Sequence, residues 1–220
     1  MQADGSFWHD VHDVAGPYLA DNLAMAQGFI ALFEVTGKSE WMHRAWDAAN
    51  YIDAHFRASS AGYMTAVPTG KLTPVIQIDE NIALARVFNK IYRYGGRSQD
   101  KLAAAYAMRY LATPQIALSR VTEAGILLAD FELANTPAHL TVVGNYQDPT
   151  AIALHKHMLA YPLSYRRIDW WDPANGKMDN ADVNYPDLGR AAAFVCVAGR
   201  CSVPAYSVEE LQRLAQGLIH

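Results

Sequence analysis

The chain has 220 residues, of which 51% are hydrophobic and 18% charged, and its formal net charge is -4. This composition predicts a soluble, folded protein with one large domain or two small ones, and it excludes a strongly basic nucleic-acid-binding protein. No apolar run is long enough to span a bilayer, and the first residues lack the basic and apolar regions of a signal peptide. We therefore expect a cytoplasmic protein without nucleic-acid or membrane partners.

The residues before the first predicted helix form a polar and aromatic segment. This segment contains Trp8, His9, Asp10, His12 and Asp13. Two histidines and two acids could ligate a metal, but their spacing is not diagnostic and no further ligand is in view. We interpret the segment as a surface loop and predict neither a metal site nor a cofactor.

A 59-residue repeat organises the first half of the chain. The stretch from Tyr18 to Ser39 returns at this offset, and the matching continues into the residues that follow it. The matched pairs include Asp21 with Glu80, Asn22 with Asn81, Phe29 with Phe88 and Gly37 with Gly96. A period of this length accommodates two helices and their turns, so it predicts a helical hairpin that is repeated.

In each predicted hairpin the first helix is apolar on most sides, whereas the second mixes charged and aromatic residues. The first helix of each pair should be an inner, covered helix and the second an outer, half-exposed one. The predicted spans are Ser39 to Phe56 for the first outer helix, about Val75 to Tyr94 for the second inner helix, Ser98 to Leu111 for its partner, and Pro114 to Leu133 for a further helix. This layout is typical of an α/α toroid, but two and a half hairpins leave the ring incomplete.

An incomplete ring would leave apolar inner helices uncovered on one side. Monomeric proteins rarely expose an apolar patch of several hundred Å². We therefore predict self-association, or a partner domain, on the side where hairpins are missing. The aromatic residues Phe29, Phe33, Phe88 and Tyr92 should lie near the shared core.

The pattern changes from helical to mixed at Pro137. The run HLTVVG predicts a strand, Asp148 and Pro149 predict a helix start, and LSYRRIDWW predicts a second strand, which together indicate a parallel βαβ unit. The turn VVGNYQDP has one glycine and no nucleotide-binding motif, so we interpret it as structural. We thus predict a mainly α protein, with an incomplete α/α toroid at residues 1–137 and a small α/β unit at residues 138–220.

The closing stretch AAAFVCVAGRCSVPAYSVEEL contains both cysteines, Cys196 and Cys201, at C-x4-C spacing. They could close a small disulfide loop, bind a metal with ligands from elsewhere, or be buried thiols, and the spacing does not decide among these. Ser207 and Glu210 form a capping-box pattern that predicts a C-terminal helix.

The runs DGSFWHDVHDVAGPYLADNLAMAQGFIALFEVTGKSEW, LTVVGNYQDPTAIALHKHM and AAAFVCVAGRCSVPAYSVEEL resemble the C-terminal part of the thioredoxin-domain-containing proteins that include spermatogenesis-associated protein 20. The resemblance covers nearly all of the chain. It implies a ring similar to six-hairpin glycosidases and N-acylglucosamine 2-epimerases, with a small α/β segment and a C-x4-C near its end. The thioredoxin-like domain and several hairpins have no counterpart here, so the resemblance implies a fragment of a longer protein or a split member that needs a partner.

Three functions follow from these patterns. The favoured one is a ligand-binding or scaffold module, and the next is a carbohydrate-active enzyme that uses carboxylates at the N-termini of the inner helices. The candidate acids are Asp21, Asp79 and Glu80, and the candidate sugar-binding residues are Tyr18, Asn22, Gln77 and Asn81. The helix dipole alone also favours acids at these positions, and no histidine lies on a predicted inner helix to serve as an epimerase base. The third function is thiol redox chemistry through Cys196 and Cys201.

Overall fold

A computed structural model describes residues 2–11, 16–67, 73–120, 122–178 and 183–219. The chain divides into two compact units, Met1–Phe33 with Lys38–Asn135 and Glu34–Gly37 with Thr136–His220. The first unit is helical, and the second combines a small sheet with helices. The prediction of a mainly α protein with a small α/β unit is therefore confirmed. Within the ranges given above, no helix is long and apolar enough to cross a membrane.

The first unit contains two long helical hairpins, then a short helix and a longer one. The bounds are α1, Leu19–Thr36; α2, Ser39–His55; α3, Ile78–Gly95; α4, Ser98–Leu111; α5, Pro114–Ala117; and α6, Ala124–Ala134. Gly37 and Gly96 follow α1 and α3 with φ angles of 68° and 67°. This left-handed conformation ends a helix at no steric cost for glycine, as the repeat predicts.

The two inner helices α1 and α3 differ in how completely they are covered. Phe29 of α1 and Phe88 of α3 are buried in one core, and Phe33 packs against it. Tyr92 is only half-buried, and the Arg93 guanidinium lies 5.4 Å from its ring centroid. Helix α3 is buried on most sides, whereas α1 exposes large apolar side chains such as Leu32, which is 41% exposed.

Two asparagines at matching repeat positions anchor the first turns of α1 and α3. The Asn22 side-chain oxygen accepts the Phe7 N–H (2.9 Å), and its amide nitrogen donates to the Phe7 carbonyl (3.2 Å) and to the Tyr18 carbonyl (2.7 Å). Asn81 makes the same three bonds, to both backbone groups of Tyr63 and to the carbonyl four residues before it. Each side-chain amide thus pairs with both the N–H and the C=O of one residue, as a residue of a neighbouring strand would.

The aromatic residue that each asparagine holds packs on the inner helix. The Phe7 ring lies 5.7 Å from the Phe29 ring, and the Tyr63 ring lies 5.6 Å from the Phe88 ring. Phe29 and Phe88 are themselves matched by the repeat. The repeat therefore encodes, besides a helical hairpin, an asparagine that holds an aromatic residue against the inner helix.

Two predicted helix bounds are wrong. Helix α3 begins at Ile78 rather than Val75, because Val75 is extended and pairs with Thr65, whose N–H donates to the Val75 carbonyl at 2.8 Å. The single helix predicted from Pro114 to Leu133 is two helices, α5 and α6. The Glu123 carboxylate accepts the Gly125 N–H (3.2 Å) and so caps a new helix, which ends the continuity of the apolar pattern.

The second unit is built on a four-stranded sheet with the order β2-β1-β3-β4. Its elements are β1, Ala138–Val143; α7, Pro149–Ala160; β2, Arg166–Trp171; β3, Ala192–Val197; β4, Arg200–Cys201; and α8, Val208–Ile219. Strands β1 and β2 are parallel, as expected for the βαβ unit, whereas β3 joins β1 in antiparallel fashion. The hairpin of β3 and β4 was not predicted from the sequence.

The two faces of this sheet differ in chemistry. Leu140, Val142 and Ile168 share one face and pack with apolar residues of α7 and α8, including Leu154 and Leu211. Because side chains alternate along a strand, the neighbouring residues point to the other face. That second face carries buried polar side chains, among them His139, Thr141 and Asp169.

We predict that Asn81→Ala lowers the free energy of unfolding by about 3 kcal/mol, because it removes the hydrogen-bond partners of the buried N–H and C=O groups of Tyr63. Asn22→Ala should act in the same direction through Phe7. Urea unfolding followed by circular dichroism measures both effects. The control is Gln77→Ala, an exposed side chain one turn earlier. A loss for Asn81→Ala no larger than that of the control would contradict the anchoring role.

Candidate functional site

The N-terminal ends of α1 and α3, where the sugar site was predicted, are joined by one extended segment. The Leu19 N–H donates to the Thr65 carbonyl (2.9 Å), Tyr18 pairs with Ala66, and Thr65 pairs in turn with Val75. These bonds are made by backbone groups. The predicted binding residues at the two helix starts are therefore held in one framework.

The amides of Asn22 and Asn81 are fully buried, and their donors are taken by backbone carbonyls. They hold the framework and are not placed to contact a ligand. Gln77 is exposed and Tyr18 is half-buried, so these two of the four predicted binding residues reach the surface.

The three predicted acids occupy different environments. Asp79 is exposed, whereas Asp21 and Glu80 are half-buried. Asp21 Oδ1 lies 3.2 Å from His9 Nδ1. Asp21 Oδ2 and Glu80 Oε2 are buried oxygens that have no hydrogen-bond partner within the described part of the chain. Burial raises the pKa of Glu80 above the ordinary value of a glutamate.

The two cysteines form a disulfide, which resolves the alternatives that their spacing left open. Cys196 on β3 and Cys201 on β4 lie directly opposite each other in the antiparallel ladder. The intervening turn has positive φ at Ala198 (49°) and Gly199 (78°), as in the tight turns that suit two-residue hairpins. Cys196 is buried and Cys201 is exposed, so the bond joins a covered residue to one at the surface.

A buried ionic cluster lies on the same sheet beside Cys196. Asp169 Oδ2 accepts from His139 Nε2 at 2.6 Å and from Arg167 Nε at 2.7 Å. The Thr141 hydroxyl lies 3.0 Å from the same His139 nitrogen. The strand register explains the cluster, since His139 pairs with Arg167 on one side and with Cys196 on the other.

Tyr185 connects this cluster to the disulfide. Its hydroxyl oxygen lies 3.2 Å from His139 Nδ1 and 3.5 Å from Cys196 Sγ. The ring meets His139 edge-on and packs against Phe194, with centroids 5.7 Å and 5.1 Å away. The hydroxyl is therefore fixed between an imidazole nitrogen and a disulfide sulfur.

The charges of the cluster follow from its geometry. Burial alone would raise the pKa of the Asp169 carboxyl, but the charge of Arg167 and the hydrogen bond from His139 outweigh it and lower the pKa. An ionised carboxylate can only accept, so His139 Nε2 carries a proton and donates it to Asp169. In the neutral ring Nδ1 is then an acceptor, and the Tyr185 hydroxyl donates a hydrogen bond to it.

The turn after β1 is filled by its own side chains. Asp148 caps α7 by accepting the N–H groups of Thr150 (2.7 Å) and Ala151 (3.2 Å). Tyr146 donates to the Gly37 carbonyl at 3.0 Å, and Asn145 donates to Asp172. These contacts agree with the interpretation of VVGNYQDP as a structural turn, because an acidic cap occupies the amides that a phosphate would need.

Part of the N-terminal segment lies at the surface. Trp8 and the His9 side chain are 56% and 64% exposed, whereas His12 and Asp13 lie outside the described residues. Over the described ranges there is no group of three or more histidines, cysteines or acids that could hold a metal ion.

The sequence patterns missed His139, Arg167, Asp169 and Tyr185. A signal was present for the first three, since AHLTVV and RRIDWW place charged or titratable residues inside strands of a sheet expected to be covered by helices. No local pattern marks Tyr185, which lies in an irregular segment.

No protein-family model matches this chain, and a search of curated proteins finds no significant relative.

A second buried histidine, His155, lies on α7. His155 Nε2 donates to the Glu34 carbonyl at 2.8 Å, and the ring lies 4.5 Å from the Trp170 ring. Burial lowers the pKa of His155, and the hydrogen bond to Glu34 offsets this only in part. The folded protein therefore holds this histidine in its neutral form.

We predict that the free energy of unfolding falls as the pH decreases through the ordinary histidine pKa of about 6.5. Below that pH the unfolded chain binds a proton at His155 that the folded chain does not bind, so acid favours unfolding. Thermal unfolding at a series of pH values measures how steeply the stability depends on pH, and His155→Gln should make that dependence weaker. His43→Gln, at an exposed position, should keep the wild-type slope. Equal slopes in all three proteins would refute the role of His155.

Proposed function

We propose that this chain carries a reversible thiol–disulfide site at Cys196 and Cys201 and exchanges it with thiol or disulfide substrates. The observation that supports this function is the contact of the Tyr185 hydroxyl with Cys196 Sγ at 3.5 Å, at the end of the buried Asp169 and His139 cluster. A disulfide that only stabilises the hairpin has no need of such a neighbour.

The two cysteines differ in exposure in the way that exchange requires, since Cys201 is an exposed residue and Cys196 is a buried one. An incoming thiolate reaches the exposed Cys201, and the electron pair of the broken bond moves to the buried Cys196. The disulfide joins residues separated by only five positions in a hairpin. Closing so short a loop contributes roughly 2 kcal/mol by the loop-entropy relation, so the protein should remain folded when the bond is reduced.

Two expectations from the sequence fit this proposal. The family resemblance implies a thioredoxin-like domain elsewhere, which is a natural source of a dithiol partner. In the cytoplasm most cysteines are kept reduced, and the disulfides that do form are usually transient ones with a catalytic or redox-sensing role. The expected cytoplasmic location therefore fits a bond that alternates between its oxidised and reduced forms. The proposal therefore combines the scaffold and redox hypotheses, with the sulfur pair as the reacting group.

We predict that dithiothreitol reduces the Cys196–Cys201 bond in the folded protein, and that the reduced protein then catalyses reduction of insulin by dithiothreitol. Maleimide labelling and mass spectrometry count the thiols, and circular dichroism reports whether the fold is retained. Cys201→Ser should abolish catalysis because it removes the exposed sulfur. Cys196→Ser should trap mixed disulfides with substrate because no second thiol resolves them.

The control is Ser202→Ala, beside the exposed cysteine, which should keep exchange activity. Resistance of the bond to dithiothreitol until the protein unfolds would refute the proposal. Reduction without any exchange activity would likewise leave the disulfide as a structural bond.

A second candidate function is a ligand-binding module, or a carbohydrate-active enzyme, at the starts of α1 and α3 in an incomplete α/α toroid. The observation that favours it is the pair of repeat-related acids, Asp21 and Glu80, each with a buried oxygen that has no partner among residues with described placement. The raised pKa of Glu80 suits a proton donor. Exposed apolar side chains such as Leu32 and Phe131 favour the self-association or partner domain expected for this ring.

We predict that a panel of mono- and disaccharides at millimolar concentration contains at least one that raises the melting temperature. Glu80→Gln and Asp21→Asn should abolish that shift, because they remove the two half-buried carboxylates. Asp79→Asn, on the exposed neighbour, should keep it. Absence of any shift across the panel would argue against sugar binding.

A further inference from the structure

Four groups lie in a continuous chain that ends at the buried sulfur of the disulfide. Asp169 Oδ2 is 2.6 Å from His139 Nε2, His139 Nδ1 is 3.2 Å from the Tyr185 hydroxyl, and that hydroxyl is 3.5 Å from Cys196 Sγ. Adjacent strands place His139 beside both Arg167 and Cys196, while Tyr185 covers the same face. The chain of contacts therefore extends from a fixed negative charge to a reacting atom.

We propose that Tyr185 and His139 form a proton relay that stabilises Cys196 as the leaving thiolate, an inference that rests on the proposed thiol–disulfide exchange. In the oxidised protein the Tyr185 hydroxyl donates to His139 Nδ1. On reduction the hydroxyl turns to donate to the Cys196 thiolate, and Nδ1 takes up a proton. Tyr185 is then the catalytic residue, and His139 positions and polarises it.

The step is balanced in atoms and electrons. The reductant is a thiol, whose proton leaves as its thiolate attacks the Cys201 sulfur. A sulfur–sulfur bond forms between the reductant and Cys201, the bond from Cys201 to Cys196 breaks, and its electron pair remains on Cys196 Sγ. The proton released by the thiol ends on His139 Nδ1. A second thiol then displaces the mixed disulfide and leaves Cys201 as a thiol.

The relay removes a specific obstacle to exchange. Cys196 is 6% exposed, and an isolated thiolate at such a position is strongly disfavoured by the loss of solvation. A hydrogen bond from Tyr185 and a nearby imidazolium compensate for that loss. Asp169 in turn stabilises the imidazolium, because it is already ionised and accepts from His139.

Within the described ranges, the charged and titratable groups around His139 are few. They are Asp169 and Arg167 on β2, Tyr185 on the covering segment and the Cys196 sulfur on β3. Arg167 donates to Asp169 and so balances its charge when the ring is neutral. Protonation of His139 alone would add a buried positive charge, whereas protonation coupled to formation of the Cys196 thiolate adds none.

The test compares Tyr185→Phe with the wild-type protein as the pH is varied. In each protein the rate of reduction by dithiothreitol is measured, and in a Cys201→Ser background the ultraviolet absorbance of the Cys196 thiolate is titrated. In Tyr185→Phe we expect reduction of the disulfide to be slower than in the wild-type protein by about tenfold or more. We also expect the Cys196 thiolate to form at a pH that is higher by at least about one unit. His139→Gln should change the reduction rate and the thiolate titration in the same direction. The variant that combines Tyr185→Phe with His139→Gln should differ little from either single variant, because both residues act in one relay.

Tyr206→Phe is the matched control, because this tyrosine packs against the same apolar cluster without an observed contact to the sulfur. It should leave the rate and the titration unchanged. An unchanged pH profile in Tyr185→Phe, with the wild-type bond still reducible, would overturn the relay and leave the exchange function intact. A wild-type bond that no thiol reduces would instead overturn the exchange function.

One measurement needs no variant. NMR of the ring nitrogens of labelled His139 in wild-type protein distinguishes a neutral imidazole from an imidazolium. We expect the oxidised protein at neutral pH to show the neutral ring with its proton on Nε2, and the reduced protein to show the doubly protonated ring. Identical spectra in the two redox states would overturn the proposal even if the Tyr185 variant fails to fold.

Discussion

The buried negative charge of Asp169 is the constraint on which the second unit depends. A carboxylate at this depth is costly unless donors surround it, and His139 and Arg167 supply two of them to one oxygen. Once Asp169 is ionised, the Nε2 atom of His139 must carry a proton, and in the neutral ring the opposite nitrogen is then an acceptor. That choice fixes the direction of the hydrogen bond from Tyr185 and leaves its hydroxyl beside a disulfide sulfur.

A buried ionic cluster is a poor way to stabilise a sheet, since apolar residues of similar volume often do as well or better. The opposite face of the same strands shows this alternative, with Leu140, Val142 and Ile168 packed against two helices. The contrast between the two faces supports the proposal that the polar face serves thiol–disulfide exchange. Under that proposal the reacting sulfur belongs to Cys196, which lies in register with His139.

The first unit uses buried polar groups in the opposite way. Asn22 and Asn81 each satisfy the N–H and C=O groups of one residue and keep no donor for a ligand, so their burial serves the fold. One residue earlier, Asp21 and Glu80 each keep a buried carboxylate oxygen without a hydrogen-bond partner in the part of the chain that the structure describes. This difference explains why the repeat by itself is a weak guide to function: adjacent repeat positions carry a structural anchor and a candidate site.

Local patterns determined the helical hairpins, the parallel βαβ unit and the helix ends at Gly37 and Gly96, because periodicity and backbone preference act over a few residues. They did not determine which residues form the candidate site. Strand register brings Cys196 beside His139 across more than fifty positions of sequence, and an irregular segment delivers Tyr185 between them. Such contacts depend on how distant segments pair, and only the tertiary structure decides that pairing.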